Sequence, residues 1–201
     1  MLYDHLGKRP FIDPTARIAP NAAVCGDVTV GANSSIGFGA VLTAESGPIV
    51  IGRNGVIMDT AVIRGIRDHP VRIGANVLVG PRAYLTGCTV DDDAFLATGC
   101  AVFNGAQIGA RAEVRINGVV HIRTVLPPDA VVPIGWIAVG DPAEILPPEA
   151  CDRIWAIQEP LDFPRTVFGV ERRPAGESIM PDVMPRYARF LGKHGSDRVI
   201  D

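Results

Sequence analysis

The sequence predicts an all-β solenoid, a parallel β-helix of hexapeptide repeats, followed by a helical C-terminal tail. Aliphatic residues recur every six positions, small residues stand between them, and the recurrence fades after Val120. A period of six fits neither an α-helix nor a simple amphipathic strand. It is typical of a β-helix in which each hexapeptide forms one side of a triangular coil of about 18 residues.

The aliphatic positions define which side chains we expect to point into the coil. They are Ile12, Ile18, Val24, Val30, Ile36, Leu42, Ile51, Ile57, Ile63, Ile73, Val79, Leu85, Val90, Leu96, Val102, Ile108, Val114 and Val120. The six-residue spacing is broken between Leu42 and Ile51, Ile63 and Ile73, and Leu85 and Val90. The first two breaks are insertions, which we expect to form loops where function concentrates. These insertions carry Glu45, Arg64, Arg67, Asp68 and His69.

The end of the repeat divides the chain into a β-helix domain, residues 1–143, and a tail, residues 144–201. Within the tail, the segment 148–159 begins with a proline and has an apolar face, and it is therefore predicted to be a helix. Residues 160–180 are rich in breakers and are expected to be extended, and a second short helix is expected over 182–193. We expect the tail to pack on the solenoid or on a neighbouring subunit, because an uncovered last coil exposes a strand edge.

Composition excludes several classes of function. The chain has 201 residues and a formal net charge of −3, too mild for a nucleic-acid or membrane-surface partner. We expect no signal peptide and no membrane span, because no sufficiently long apolar run occurs. The four cysteines form no CxxC pair, which predicts free thiols and a reducing, cytoplasmic location.

Seven segments carry a resemblance to a known family. They are Ile18-Ala-Pro-Asn-Ala, Gly26-Asp-Val, Ser34-Ser-Ile, Pro48-Ile-Val-Ile-Gly, Pro70-Val-Arg-Ile-Gly-Ala-Asn-Val, Leu85-Thr-Gly-Cys-Thr-Val and Gly135-Trp-Ile-Ala-Val-Gly-Asp-Pro-Ala. With these segments the chain resembles the γ-class carbonic anhydrase-like family of the hexapeptide-repeat superfamily. The resemblance runs from the N-terminus to about Ala143. It implies a left-handed coil, a homotrimer, and a site in the cleft between adjacent subunits.

The resemblance also indicates what the chain has lost. The family holds zinc with three histidines, and their positions fall on Arg64, Pro81 and Thr86. Arginine is always charged and proline has no donor atom, so neither can replace a zinc ligand. We therefore expect no zinc cofactor and no carbonic anhydrase activity. Asp59 is retained, and Glu45 matches an acidic residue that some members use for proton transfer.

A cation at the position of a zinc ligand predicts binding of a small anionic or acyl-type ligand. The candidate ligand-binding residues are Arg64, Arg82, Tyr84, Glu45, Asp59 and His69. A second interpretation is that Arg64 pairs with Glu45 or Asp59, from its own chain or a neighbour, and holds the trimer together.

Catalysis, if present, has two candidates, Glu45 and His121. His121 is considered because hexapeptide acyltransferases use a histidine base with an acyl-CoA substrate. His69 with Cys88 could rebuild a metal site, although Cys88 and Cys100 are more simply explained by packing. His5 and His194 lie near the ends and are expected to be exposed. Three functions therefore stay open: a zinc-less ligand-binding homologue, an acyltransferase, and a structural or scaffold trimer.

Overall fold

The protein is described here by a computed structural model covering residues 1–66 and 68–200. As the sequence predicts, short parallel strands stack into a β-helix that is followed by a helical tail. The strands are β1 Leu2–Asp4, β2 Phe11–Ile12, β3 Arg17–Ile18, β4 Ala23–Val30, β5 Ser35–Ile36, β6 Val41–Ile51, β7 Val56–Ile57, β8 Val62–Gly65, β9 Val71–Ile73, β10 Leu78–Val79, β11 Tyr84–Thr86, β12 Thr89–Val90, β13 Phe95–Leu96, β14 Ala101–Val102, β15 Gln107–Ile108, β16 Glu113–Val114, β17 Val119–Val120, β18 Val125–Leu126, β19 Val131–Val132, β20 Ile137–Val139, β21 Glu144–Leu146 and β22 Arg198–Ile200. The α-helices are α1 Cys151–Gln158 and α2 Met180–Leu191.

The strands form three faces, because every third strand pairs in parallel with its equivalent one coil away. Face one contains the N-terminal halves of β4 and β6, then β8, β11, β14, β17 and β20. Face two continues from the C-terminal halves of β4 and β6 through β9, β12, β15 and β18. Face three contains β3, β5, β7, β10, β13, β16 and β19.

The predicted inward positions form the core. All of them are buried except Ile12 and Ile18, which lie in the first coil and have no coil beneath them. Leu85, for example, stacks between Ile63 and Val102, its register partners on face one. Each coil therefore gains its stability from its two neighbours rather than from a separate central core.

The corners use backbone conformations that favour particular residues. Asn54 and Asn76 both have φ of 56°, a left-handed conformation that asparagine tolerates better than most side chains. Their amides also form a ladder along the corner: Asn54 Nδ2 donates to Asn76 Oδ1 at 2.8 Å, and Asn76 Nδ2 donates to Asp93 Oδ1 at 2.9 Å.

The two insertions differ from the expected loops. The first is not a loop, because residues 43–48 lie within the continuous strand β6, which pairs with β4 and β8. The second is a tight turn closed by an antiparallel bridge between Ile66 and His69. Arg67 lies outside the described residues. The continuous strand matters for the site, because Glu45 directly follows Ala44, the last residue of β6 that pairs with β8.

The tail is more helical than predicted. Helix α1 begins at Cys151 rather than near 148, and α2 is displaced two residues from the expected 182–193. The stretch expected to be extended contains a 3-10 turn, Glu159–Leu161, and a π-helical turn, Pro164–Phe168. None of the helices in the described residues is long and apolar enough to cross a membrane.

The chain ends pair with one another, which the sequence did not indicate. Strand β22 pairs antiparallel with β1, and β1 pairs in parallel with β4 in the second coil. The expectation that His5 is exposed is therefore wrong: it is 4% exposed, because the returning C-terminal segment covers it. His194 is half-buried in the same place.

Candidate functional site

An outward-facing row on face one carries two of the candidate residues, Arg64 and His121. Each lies one position after an inward aliphatic residue, so the parallel register stacks them one per coil. The row runs Cys25, Thr43, Arg64, Thr86, Phe103 and His121, with the first four aligned directly by strand pairing. Neighbouring members are separated by about 4.8 Å, the spacing between paired strands.

Arg64 forms an ion pair with Glu45 of the same chain. The Arg64 guanidinium donates through Nη2 to Glu45 Oε1, and the side chains are 22% and 4% exposed. The pairing left open by the sequence therefore exists within one chain. Burial would by itself lower the pKa of Arg64, but the adjacent Glu45 carboxylate outweighs it and the pKa is raised. Arg64 is a fixed cation at any physiological pH.

Two glycines allow the strands carrying this pair to approach closely. Gly65, the residue after Arg64, lies against the backbone of Gly47, and a Cβ on either would overlap the opposite strand. Gly87, the residue after Thr86, has φ of 51° and packs against His69. Larger residues here would force the coils apart, so these glycines fix the distance between Arg64 and its surroundings.

A cavity of about 460 Å³ lies beside the Arg64–Glu45 pair. Its floor is face one, and its cover is the tail, which contributes residues from the π-helical turn and from α2. The apolar and aromatic lining residues are Ile66, Tyr84, Phe103, Ile122, Phe163, Val167, Phe168, Tyr187 and Phe190. The polar lining residues are Glu45, Ser46, Arg64, Asp68, His69, Thr86, Asn104 and Thr166. The chain's own tail closes the cavity, so one chain is enough to form it.

The six predicted ligand-binding residues divide into two groups. Arg64, Glu45, Tyr84 and His69 all line the cavity. Arg82 and Asp59 do not: both are exposed at another corner, where the Arg82 amide donates to the Asp59 carbonyl oxygen at 3.1 Å. Within one chain, these two residues do not reach Arg64.

The three positions that the resemblance assigns to zinc ligands do not converge on a metal-binding geometry. Arg64 is paired with Glu45, and Thr86 Oγ1 donates to Asn104 Oδ1 at 2.9 Å in a buried hydrogen bond. Pro81 lies at the corner before β11 and offers no donor atom. These residues do not fit zinc, which prefers imidazole, thiolate or carboxylate.

His121, the candidate base, lies three coil steps from Arg64, roughly 14 Å along the row. Its Nδ1 is buried with no hydrogen-bond partner among the described residues. Burial lowers the pKa of His121, so the imidazole is neutral at pH 7. It does not line the cavity; its neighbour Ile122 does.

Two of the cysteines, Cys88 and Cys100, pack in the core of the coils. Cys88 and Cys100 are 1% and 0% exposed and belong to the core cluster, as packing predicts. Burial raises the pKa of both thiols to about 12. Cys88 therefore does not rebuild a metal site with His69. The sequence missed a different group, in which His5, Cys25, His194 and Asp197 meet where the chain ends pair.

Comparison with known proteins places this fold and site in a family. No protein-family model matches the chain. Its sequence is 32% identical over 145 residues to the mitochondrial γ carbonic anhydrase 1 of Arabidopsis thaliana, covering 69% of this chain and 50% of that protein. The chain belongs to the γ-class carbonic anhydrase-like family of hexapeptide-repeat proteins. It spans about half the length of this curated relative.

Solved structures of other hexapeptide-repeat proteins share its architecture. A hexapeptide transferase family protein from Anaplasma phagocytophilum is 29% identical, with a TM-score of 0.51 over 78% of this chain and 89% of its own. A UDP-N-acetylglucosamine acyltransferase from Bacteroides fragilis gives a TM-score of 0.57 at 15% identity, over 90% and 89% of the two chains. The second likeness concerns the fold alone and confirms the left-handed β-helix.

Proposed function

We propose that this γ-carbonic anhydrase homologue binds a small carboxylate with an apolar, acyl-type body in the cavity beside Arg64. It holds no zinc at the three inherited positions and does not hydrate carbon dioxide. One observation carries the proposal: a fixed cation, Arg64, lines a cavity whose surface is otherwise mainly aromatic and aliphatic.

The ion pair leaves Arg64 able to bind a second carboxylate. Glu45 accepts from Nη2, and a guanidinium has five N–H donors in all. Charge-assisted hydrogen bonds are worth roughly 1.5–3 kcal/mol each. Because Glu45 competes for the same cation, we expect weak, salt-sensitive binding rather than tight retention.

The residues that line the cavity favour an apolar body on the carboxylate ligand. Phe103 from face one and Phe163, Phe168 and Phe190 from the tail line it. A volume of about 460 Å³ lies within the range of roughly 300–1,000 Å³ usual for small-molecule sites. A short aliphatic or aromatic chain attached to the carboxylate would bury its surface against these rings, so affinity should rise with chain length.

Loss of the inherited zinc removes the means of hydrating carbon dioxide. Carbonic anhydrase chemistry needs a metal-bound water of lowered pKa, and Arg64, Pro81 and Thr86 supply no ligands for that metal. We therefore expect carbon dioxide hydration at the uncatalysed rate, with or without added zinc. A zinc-dependent rate well above background would refute this part of the proposal.

We further propose a homotrimer in a reducing, cytoplasmic compartment. Homotrimers are typical of this fold. Face three supports the trimer, because its outward row exposes Val56, Phe95 and Val131 at 36%, 41% and 36%. All four cysteines are unpaired thiols, which supports the reducing location.

The binding proposal is tested by thermal unfolding with acetate, butyrate and hexanoate. Ligand that binds the folded state raises the unfolding temperature according to its concentration over Kd, so the shift should grow along the series. Hexanol, which has the apolar chain without the charge, is the matched control and should give a much smaller shift. The proposal fails if hexanoate at millimolar concentration gives no more shift than hexanol or acetate.

An acyltransferase using acyl-CoA is the second candidate. It is favoured by the likeness to the hexapeptide transferase family protein and by His121, whose pKa is lowered by burial and whose Nδ1 has no hydrogen-bond partner in the described part of the chain. This function predicts a thermal shift with acetyl-CoA and thioester cleavage that His121→Gln abolishes. If neither carboxylates nor acyl-CoA bind and another protein copurifies in fixed ratio, the scaffold interpretation replaces both.

A further inference from the structure

Four metal-ligating side chains meet where the two chain ends join, outside the cavity described above. His5 follows β1, Cys25 lies in β4, His194 lies in the 3-10 turn Gly192–Ser196, and Asp197 precedes β22. Pairing of β22 with β1, and of β1 with β4, brings these four residues together. The arrangement is thus built into the backbone register.

The donor atoms are close enough to share one ion. His5 Nδ1 lies 2.6 Å from Asp197 Oδ1, His194 Nδ1 lies 2.7 Å from Asp197 Oδ2, and Cys25 Sγ lies 3.3 Å from Asp197 Oδ2. One ligand atom from each residue lies within 4.8 Å of all the others. Ligands of a tetrahedral zinc are about 3.3–3.8 Å apart, given metal–ligand bonds of roughly 2.0–2.3 Å, so loading requires only a small opening of the cluster.

The cluster is sheltered from solvent. His5 and Cys25 are 4% and 7% exposed, and the side chains of Asp197 and His194 are 11% and 28% exposed. Buried charges in proteins are normally paired or coordinate a metal. Carboxylates dominate the surroundings, since Asp4 and Glu45 also act on Cys25. A divalent cation would be stabilised here, and an anion would not.

The cluster is already joined by hydrogen bonds. The Cys25 thiol donates to Asp197 Oδ2. A bound cation would displace the thiol proton to solvent and leave the thiolate as a ligand. The His5 and His194 rings stack with centroids 4.4 Å apart, which packs the two imidazoles side by side with both Nδ1 atoms on Asp197.

We propose that His5, Cys25, His194 and Asp197 form a structural binding site for a divalent metal ion, with zinc the best chemical match. Two imidazoles, a thiolate and a carboxylate are the ligand types that zinc prefers, and four protein ligands make a closed site with no open position for chemistry. The site uses none of the inherited zinc positions, although Arg64 lies two coil steps from Cys25 on face one and lines the same pocket. It differs from the sequence-based expectation of a zinc-free protein.

The metal would fasten the end of the tail to the second coil. Helix α2 leads directly into the turn that carries His194, and its residues Tyr187 and Phe190 cover the ligand cavity. Fixing residues 194–197 therefore restrains the cover of that cavity. Metal removal should loosen the tail while leaving the coils intact, because the core residues lie elsewhere.

The test uses the full chain, stripped with a chelator and titrated with zinc and then with cobalt. We expect about one equivalent of either metal, a higher unfolding temperature, and, for cobalt, the visible bands of a tetrahedral ion with a thiolate charge-transfer band. Cys25→Ser should remove the charge-transfer band. Cys25→Ser, His194→Gln and Asp197→Asn should each weaken binding by at least the 10–100-fold that outer-shell changes typically cause.

Matched controls separate this site from other thiols and imidazoles. Cys151→Ser on exposed α1 and His121→Gln on face one should keep full metal binding, as should Arg64→Met. His194→Gln changes the most exposed of the four and keeps the test decisive if Cys25→Ser does not fold. The proposal is overturned if the stripped protein takes up no stoichiometric metal, in which case the four residues form a hydrogen-bonded cluster. Unchanged uptake in Cys25→Ser and His194→Gln would overturn it equally.

Discussion

Arg64 and Glu45 form an ion pair across adjacent strands of face one, and the acidic partner is the more deeply buried, with its side chain 4% exposed against 22%. The two residues are 19 positions apart in the chain. Because β6 and β8 are in fixed register, with Thr43 paired to Arg64 and Ala44 to Gly65, the pair is held in place by the fold itself.

This asymmetry predicts unequal effects of removing each partner. Arg64→Met leaves the buried Glu45 charge without its cation, so it should cost more stability than Glu45→Gln, by about 1–3 kcal/mol. The double variant should recover part of the loss, because no buried charge is then unpaired. Urea unfolding of the three variants measures this. Equal costs for the two single variants would mean that the pair is effectively solvated.

A second prediction concerns a residue of the hydrophobic core on face two. Ile108 is 1% exposed and Gln107, its neighbour on the same strand, is exposed. Ile108→Asp places an unpaired charge between coils and should cost about 4 kcal/mol or more. That cost is a large part of the total free energy of unfolding of a typical domain. Gln107→Asp, which points outward, should change stability by less than about 1 kcal/mol. Circular dichroism against urea concentration distinguishes the two.

The coils could be predicted from the sequence because the six-residue repeat of aliphatic residues is visible within short segments of the chain. Each inward residue, such as Val102 or Ile108, stacks on an equivalent residue about one coil away, so the period itself encodes the contact. Positions within the coil were therefore predictable, including Arg64 and Tyr84 beside one another on face one.

The tail and the chain ends could not be predicted in the same way. His5 and Asp197 are 192 residues apart and meet only because β22 pairs with β1, a contact that no local pattern specifies. The same holds for Phe163 and Phe190, which line the cavity from the tail. Arg82 was grouped with Arg64 by its closeness to the lost ligand positions, yet its left-handed corner turns it away from the row.

The oligomeric state has a direct test. Phe95, 41% exposed in the middle of face three, should lie in the trimer interface, and Phe95→Glu should dissociate it. Phe11→Glu, at the 64% exposed Phe11 of the first coils, is the control and should remain trimeric. Sedimentation velocity reports the mass of each. A wild-type monomer would contradict the proposed trimer.

His121 should make stability depend on pH. Burial lowers the pKa of His121 in the folded protein below the ordinary value of about 6.5, so the unfolded chain binds a proton on this imidazole more readily. The folded protein therefore has its full stability above a pH of about 6.5 and loses stability as the pH falls from that value toward the lowered pKa of the folded state. His121→Gln should show a smaller loss than wild type between pH 7.5 and pH 5 in urea unfolding. Parallel losses in both proteins would assign the pH dependence to other groups.

The most direct test of the proposed function is calorimetric titration of hexanoate into wild type, Arg64→Met and Arg72→Met at low salt. Arg72 is an exposed arginine on face two, outside the cavity, and so matches the change in charge. We predict saturable binding to wild type and to Arg72→Met, weakened by added salt, and at least about tenfold weaker binding to Arg64→Met, as expected for loss of one charge-assisted hydrogen bond. Unchanged binding to a folded Arg64→Met, or no binding to wild type, would contradict the account.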